Sequence, residues 1–184
     1  MKVKKNNYSQ FGWLKKPMLS QQYRFWLIDN GSLTKALQQR YASFAVNKIT
    51  LHNAKPLPDE VELLNLPAHQ QALIREVLLL GNQQPVVFAH SVLPHSALRG
   101  PWNKLGFLGN KPLGATLFAN PKVQRTPLSF KKLAPHHALF KKAAKHLSVA
   151  PNYLWARRSV FSLYSHGNCA KILVTEVFLP NLIK

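Results

Sequence analysis

Acidic side chains are scarce in this chain. Asp29, Asp59, Glu60, Glu62, Glu76 and Glu176 are all there are, against 25 lysines and arginines, for a formal charge of +19. Between Glu76 and Glu176 there is no acid at all. Such an excess governs encounter rates and solubility rather than fold, and admits a nucleic acid, an anionic membrane or an anionic small molecule as partner. Cysteine is scarcer still: Cys169 stands alone. That excludes an internal disulfide framework and an all-cysteine metal site, and fits a reducing cytoplasm. No run approaches the roughly 18 apolar residues of a membrane span. The basic start, Lys2, Lys4 and Lys5, is followed by polar Asn6, Asn7, Ser9 and Gln10 instead of the apolar core of an export signal. A soluble cytoplasmic protein without stable membrane insertion is expected.

Familiar motifs are missing as well. There is no zinc-finger spacing, internal repeat, RNA-binding motif with interleaved aromatics, or serine or cysteine nucleophile motif. The glycine- and proline-rich stretch 105–114 lacks the spacing that cradles phosphates. His136, His137 and His146 lack carboxylate or cysteine partners at metal-ligand spacing. A metal site is not expected. The cations are dispersed, which favours a solvated basic surface over nucleic-acid binding.

With 184 residues, 46% hydrophobic and 10% aromatic, the chain suits a single globular domain with one sizeable core. Residues 1–19 read as a basic, loosely held leader and 20–184 as the domain. Residues 21–41 carry apolar side chains at helical spacing, interrupted at Asn30-Gly31, with Ser32 able to cap a second helix. A strand follows at 44–51, with Phe44, Val46 and Ile49 only roughly in phase. Residues 55–66, with two prolines and three acids, read as a loop, and 67–71 as a helical turn. Two apolar runs, 73–80 and 85–94, flank a polar turn and form a hairpin. A short helix runs through Phe118, and another strand is expected at 121–130. Residues 131–149 suit an exposed basic amphipathic helix, a surface feature with a membrane face or acidic partner as the alternatives. A second hairpin pairs 154–164 with 171–179. Strands joined mostly by short turns, with no strand–helix alternation, indicate an α+β fold on a largely antiparallel sheet.

The chain is organised around residues 172–180. Alternation puts Ile172, Val174, Glu176 and Phe178 on one face, so Glu176 lies on the more apolar side of an apolar strand. A carboxylate there must be paired, hydrogen-bonded, protonated or able to reach water. Arg75 is its counterpart, sharing a strand face with Val77 and Leu79. The two either form a buried salt bridge or line a closed cavity for a ligand with a carboxylate at one end and a hydroxyl at the other, since an arginine fork matches a carboxylate bidentately. Of the adjacent Arg157 and Arg158, alternation sends one inward, as a core ion pair or an anion contact. His90 reads as a satisfied sheet residue, and Cys169 as a bystander beside a turn.

Arg75-Glu76-Val77-Leu78-Leu79, the 89–94 strand end, Lys111-Pro112-Leu113-Gly114 with Leu117-Phe118, the 154–159 segment and Thr175-Glu176-Val177-Phe178-Leu179-Pro180 together resemble, in order and with similar gaps, the chorismate pyruvate-lyase family. The resemblance spans about residues 27–180. It implies a single α+β domain on an antiparallel sheet with an internal ligand cavity, and a lyase that converts chorismate to 4-hydroxybenzoate and pyruvate for ubiquinone without metal or organic cofactor. It assigns the product-binding arginine to Arg75 and the glutamate to Glu176, both as catalytic residues. Two further substrate contacts, through backbone groups, fall on Leu33 and Leu113. A monomer inhibited by its own product is expected. The position of Leu33 is a methionine in well-known members, His90 stands where an arginine is expected, and residues 130–153 and the leader are longer and more basic than usual. The alternative is a non-enzymatic domain binding a small aromatic acid, since effector domains of some bacterial regulators share this fold. Residues 1–19 are too short for the helix-turn-helix such regulators carry. A nucleic-acid binder would instead show steeply salt-dependent retention on heparin.

Overall fold

The computed structural model describes residues 12–165 and 167–183. Two hairpins form its centre. In the first, β2 (Ala72–Gly81) turns into β3 (Gln84–Pro94) through Asn82 and Gln83, whose φ values of 47° and 66° are both positive. Such turns match the twist of the flanking strands. The second hairpin joins β6 (Leu154–Ser165) to β7 (Asn168–Phe178). β3 pairs with β7, β1 (Phe44–Ala54) borders β2, and both β4 (Gln124–Arg125) and β5 (Ser129–Leu133) pair with β6. The seven strands are antiparallel throughout, in the order β1-β2-β3-β7-β6-β4 with β5 beside β6. This is the expected α+β architecture. The imperfect phase of β1 has a cause: the register with β2 shifts between Lys48 and Thr50, a bulge at Ile49 that resets the alternation.

Helices α1 (Arg24–Ile28) and α2 (Leu33–Arg40) are separated at Asn30-Gly31, and the Ser32 hydroxyl accepts the Lys35 N–H at 3.4 Å. Three local expectations are corrected. Residues 55–66 contain helix α3 (Pro58–Leu64) rather than only a loop. Pro58 opens it where a missing N–H costs nothing, and Glu60 reaches back to the Leu57 N–H at 2.8 Å. The strand expected at 121–130 is reduced to β4 and the start of β5. Residues 131–149 do not form one exposed helix. Lys131 and Leu133 pair with Ala156 and Leu154 in the sheet, Pro135 follows, and only α6 (Ala138–Ala144) is α-helical. Its Leu139, Phe140 and Ala143 are buried on Phe88, Leu154 and Val177.

Helix α4 (His95–Leu98) and α5 (Leu113–Ala119) lie in the long β3–β4 connection. Residues 1–11 of the expected leader lie outside the described residues. In the remainder, Trp13 is buried, and Leu14 bridges to Phe130 through backbone bonds of 2.7 and 2.9 Å. Among the described residues no helix is long and apolar enough to cross a membrane.

Candidate active site

Because strands pair in register, one row of residues crosses the sheet as Val77, Ala89, Glu176 and Arg157, and the next as Arg75, Ser91, Val174 and Ser159. Arg75 and Val77 are two apart on β2, as Val174 and Glu176 are on β7, so all these side chains share one face. That face, with the N-terminal ends of α2 and α5, surrounds a cavity. Arg75, Glu176, Leu33 and Leu113 all line it, together with Val46, Thr34, Gly114, Leu117, Phe118 and Phe161. The four residues singled out in the sequence thus come from β2, β7, α2 and α5 to one place. The two helices approach closely there. A Cβ on Gly114 would stand 3.4 Å from Thr34 Oγ1 and 3.7 Å from Ser32 Oγ, in ordinary van der Waals contact.

Arg75 and Glu176 do not pair with each other. Arg75, 3% exposed, donates from Nη2 to the carbonyls of Gly109 (3.0 Å) and Lys111 (2.8 Å), and its buried Nε has no partner. Burial lowers its pKa from the usual arginine value. The loop carbonyls fix the guanidinium while leaving donors for an anion. Glu176 is 17% exposed and takes the Nε–H of Arg157 on Oε2 at 2.5 Å. Arg157 is fully buried, and its Nη1 donates to the carbonyls of Trp26 (2.7 Å) and Asp29 (2.6 Å) at the end of α1. The carboxylate is therefore positioned by an arginine that also anchors the segment leading to α2. The Asp29 side chain tightens that turn by accepting the Gly31 N–H at 2.8 Å.

A second cavity-lining cation, Arg125, escaped the sequence reading. It comes from β4, whose two residues leave no period to detect. Its Nε donates to Ser159 Oγ at 2.9 Å and its Nη1 to the Asn30 carbonyl at 2.9 Å. Its guanidinium carbon lies 5.4 and 5.2 Å from the ring centres of Phe118 and Phe161.

The opposite face holds a separate polar cluster. His90 is buried, with Nδ1 2.9 Å from Glu76 Oε1 and Nε2 3.1 Å from Glu60 Oε1. Lys142 from α6 reaches Glu76 at 2.5 Å. Burial works against the charged imidazole, but Glu60 and Glu76 outweigh it and push the His90 pKa up to about 9. Burial likewise opposes the Glu76 carboxylate, but bonds from His90 and Lys142 bring it down to about 2. Arg158 donates to Asp59 Oδ2 at 2.6 Å, an oxygen shared with the Trp13 indole N–H at 2.8 Å. Both Arg157 and Arg158 are thus core ion pairs, on opposite faces. The second cluster ties α3, α6 and Trp13 to the sheet and does not open on the cavity. Among the described residues no group of three or more His, Cys, Asp or Glu side chains is arranged to hold a metal ion.

The effector domain of PhnF from Mycobacterium smegmatis has this fold, with a TM-score of 0.58 at 16% identity over 82% of this chain and 90% of that one. The longer PhnF structure from the same organism scores 0.60 at 15% identity, over 85% and 67%. At such identities the likeness concerns the fold alone. Sequence relatives are nearer. A probable chorismate pyruvate-lyase of Nitrosomonas eutropha is 50% identical over 157 residues, 85% of this chain and 86% of that one. One of Nitrosomonas europaea is 51% identical over 156 residues, 85% of each. The profile of the chorismate lyase family matches residues 9–184, and the chain belongs to that family.

Proposed function

We propose that this chorismate lyase family enzyme eliminates pyruvate from chorismate to form 4-hydroxybenzoate, supplying the aromatic head group of ubiquinone. The observation that carries this reading is a single cavity with a guanidinium at one position and a carboxylate at another, between apolar walls. Arg75 has donors left for the ring carboxylate, and Glu176 can accept from the ring hydroxyl. Leu33 and Leu113 add contacts from the two helix starts that close the cavity.

The chemistry needs little more. Loss of the hydrogen on the hydroxyl-bearing carbon and departure of the neighbouring ether oxygen with its bonding pair make the ring aromatic. The released enolpyruvate takes a proton on its methylene carbon and becomes pyruvate. Aromatisation supplies much of the driving force, so the protein has to bind the anion, hold the conformer and assist one proton. Glu176, fixed by Arg157, is the group proposed to take that proton, a role typically worth about 10²–10⁴-fold. Product retains the ring carboxylate and hydroxyl, so it binds well and inhibits. Parting of the segments at 31–34 and 112–114 then limits turnover. The test is incubation of the purified protein with chorismate without added metal, following 4-hydroxybenzoate and pyruvate together. Equal amounts of both are expected, and formation of neither would refute the reading.

A further inference from the structure

Among the described residues, two guanidinium groups of the cavity, Arg75 and Arg125, have no carboxylate within ion-pair distance, whereas the charge of Arg157 is matched by Glu176 and that of Arg158 by Asp59. Building on the proposed reaction, we propose that Arg125 binds the carboxylate of the enolpyruvyl side chain, a contact that substrate makes and 4-hydroxybenzoate cannot.

Three observations carry this. Ser159 and the Asn30 carbonyl hold Nε and Nη1, while Nη2 makes no hydrogen bond among the described residues, so the fork is fixed with a donor to spare. The rings of Phe118 and Phe161 flank the guanidinium carbon at 5.4 and 5.2 Å, in cation–π range, and help to orient it. Its position along the cavity is also telling. β4 pairs with β6 and β6 with β7, so Arg125 reaches the cavity from the side of the sheet nearer Glu176 than Arg75, which lies on β2. In chorismate the ether carbon is next to the hydroxyl-bearing carbon. A hydroxyl at Glu176 and a ring carboxylate at Arg75 therefore direct the side-chain carboxylate toward Arg125. Two unmatched cations suit a dianion. As the carbon–oxygen bond breaks, its electron pair passes to an enolate conjugated with that same carboxylate, so the contact strengthens in the transition state. Once pyruvate leaves, only the Arg75 anion contact remains.

The test compares substrate with product. Arg125→Met should lower kcat/KM for chorismate about 10- to 150-fold, the loss of a charge-assisted hydrogen bond. It should leave the calorimetric Kd for 4-hydroxybenzoate within about twofold, the scatter of non-contacting sites. Retained product binding also shows that the variant is folded, and Arg125→Lys should recover part of the rate. Equal losses for substrate and product, or an unchanged kcat/KM, would overturn the assignment. A wild-type measurement needs no variant: 3-(carboxymethoxy)-4-hydroxybenzoate should bind more tightly than its side-chain methyl ester, and equal affinities would count against Arg125. Wild-type protein inert toward chorismate sinks the proposed reaction itself. Normal wild-type turnover with an indifferent Arg125→Met sinks only this inference.

Discussion

Replacing Glu176 by glutamine separates the two roles of one carboxyl group. Its Oε2 takes the Arg157 Nε–H at 2.5 Å, and Arg157 is fully buried with Nη1 committed to the carbonyls of Trp26 and Asp29. Glutamine keeps an oxygen that can accept this N–H but gives up the charge. A charge-assisted bond of about 1.5–3 kcal/mol becomes a neutral one of about 0.5–1.5 kcal/mol, a net loss near 1 kcal/mol. For a chain of this length that lowers Tm by about 2–4 °C. The partial exposure of Glu176, 17%, keeps the figure at the low end of the range for broken buried pairs. Proton transfer is a different matter. A positioned general base contributes about 10²–10⁴-fold, which is about 2.7–5.4 kcal/mol of barrier at 1.36 kcal/mol per tenfold. Turnover should therefore fall far more than stability. Urea unfolding and the appearance of 4-hydroxybenzoate, measured on one preparation, give both quantities. A folded Glu176→Gln protein whose turnover falls by less than about tenfold would refute the proton-transfer role and leave the carboxylate as the counter-charge of Arg157.

Arg75→Met should weaken 4-hydroxybenzoate binding about 10- to 150-fold by removing a charge-assisted contact. The wild-type product Kd should itself be well below about 1 mM, and a millimolar value by calorimetry would contradict the expected product inhibition. Stability should respond to pH from both sides. The folded His90 pKa near 9 lies above its ordinary 6.5, so its contribution is complete below 6.5 and is lost as pH rises through about 9. Glu76, near 2 against 4.5, contributes above 4.5 and loses that as pH falls through about 2. His90→Gln should flatten the alkaline limb of a Tm-against-pH profile, and an unchanged limb would show that another group sets it. Gly81→Ala would bring a Cβ within 2.5 Å of the Tyr41 ring. It should cost about 1–3 kcal/mol by urea unfolding, partly restored by Tyr41→Ala, and an unmoved midpoint would mean the ring swings aside freely.

Alternation made Arg75 and Glu176 visible in the sequence, because a charge inside an apolar strand is conspicuous without knowing its neighbours. Their partners were not visible. Arg157 meets Glu176 only through the β6–β7 register, and Arg75 meets Gly109 and Lys111 only because a long connection folds back over β2. Arg125 sits in a strand of two residues, too short for any pattern. Helix α3 was obscured by its own start signal, since a proline read as loop punctuation in fact occupies the first helical position. The 131–149 stretch has helical spacing, but ladder bonds to β6 claim its first residues, a long-range term that local propensity does not contain.

Three neighbouring pairs, Arg75-Glu76, Arg157-Arg158 and Thr175-Glu176, each send one member to the cavity side and the next to the opposite face. Parity is therefore part of what these strands encode. A single-residue insertion or deletion within β2, β6 or β7 would exchange the ligand-side set for the load-carrying set, stranding Glu76 beside the substrate and Arg75 among the helices. Length variation in such a chain is tolerable where the strands turn, as at 82–83, and ruinous between the turns and the pocket.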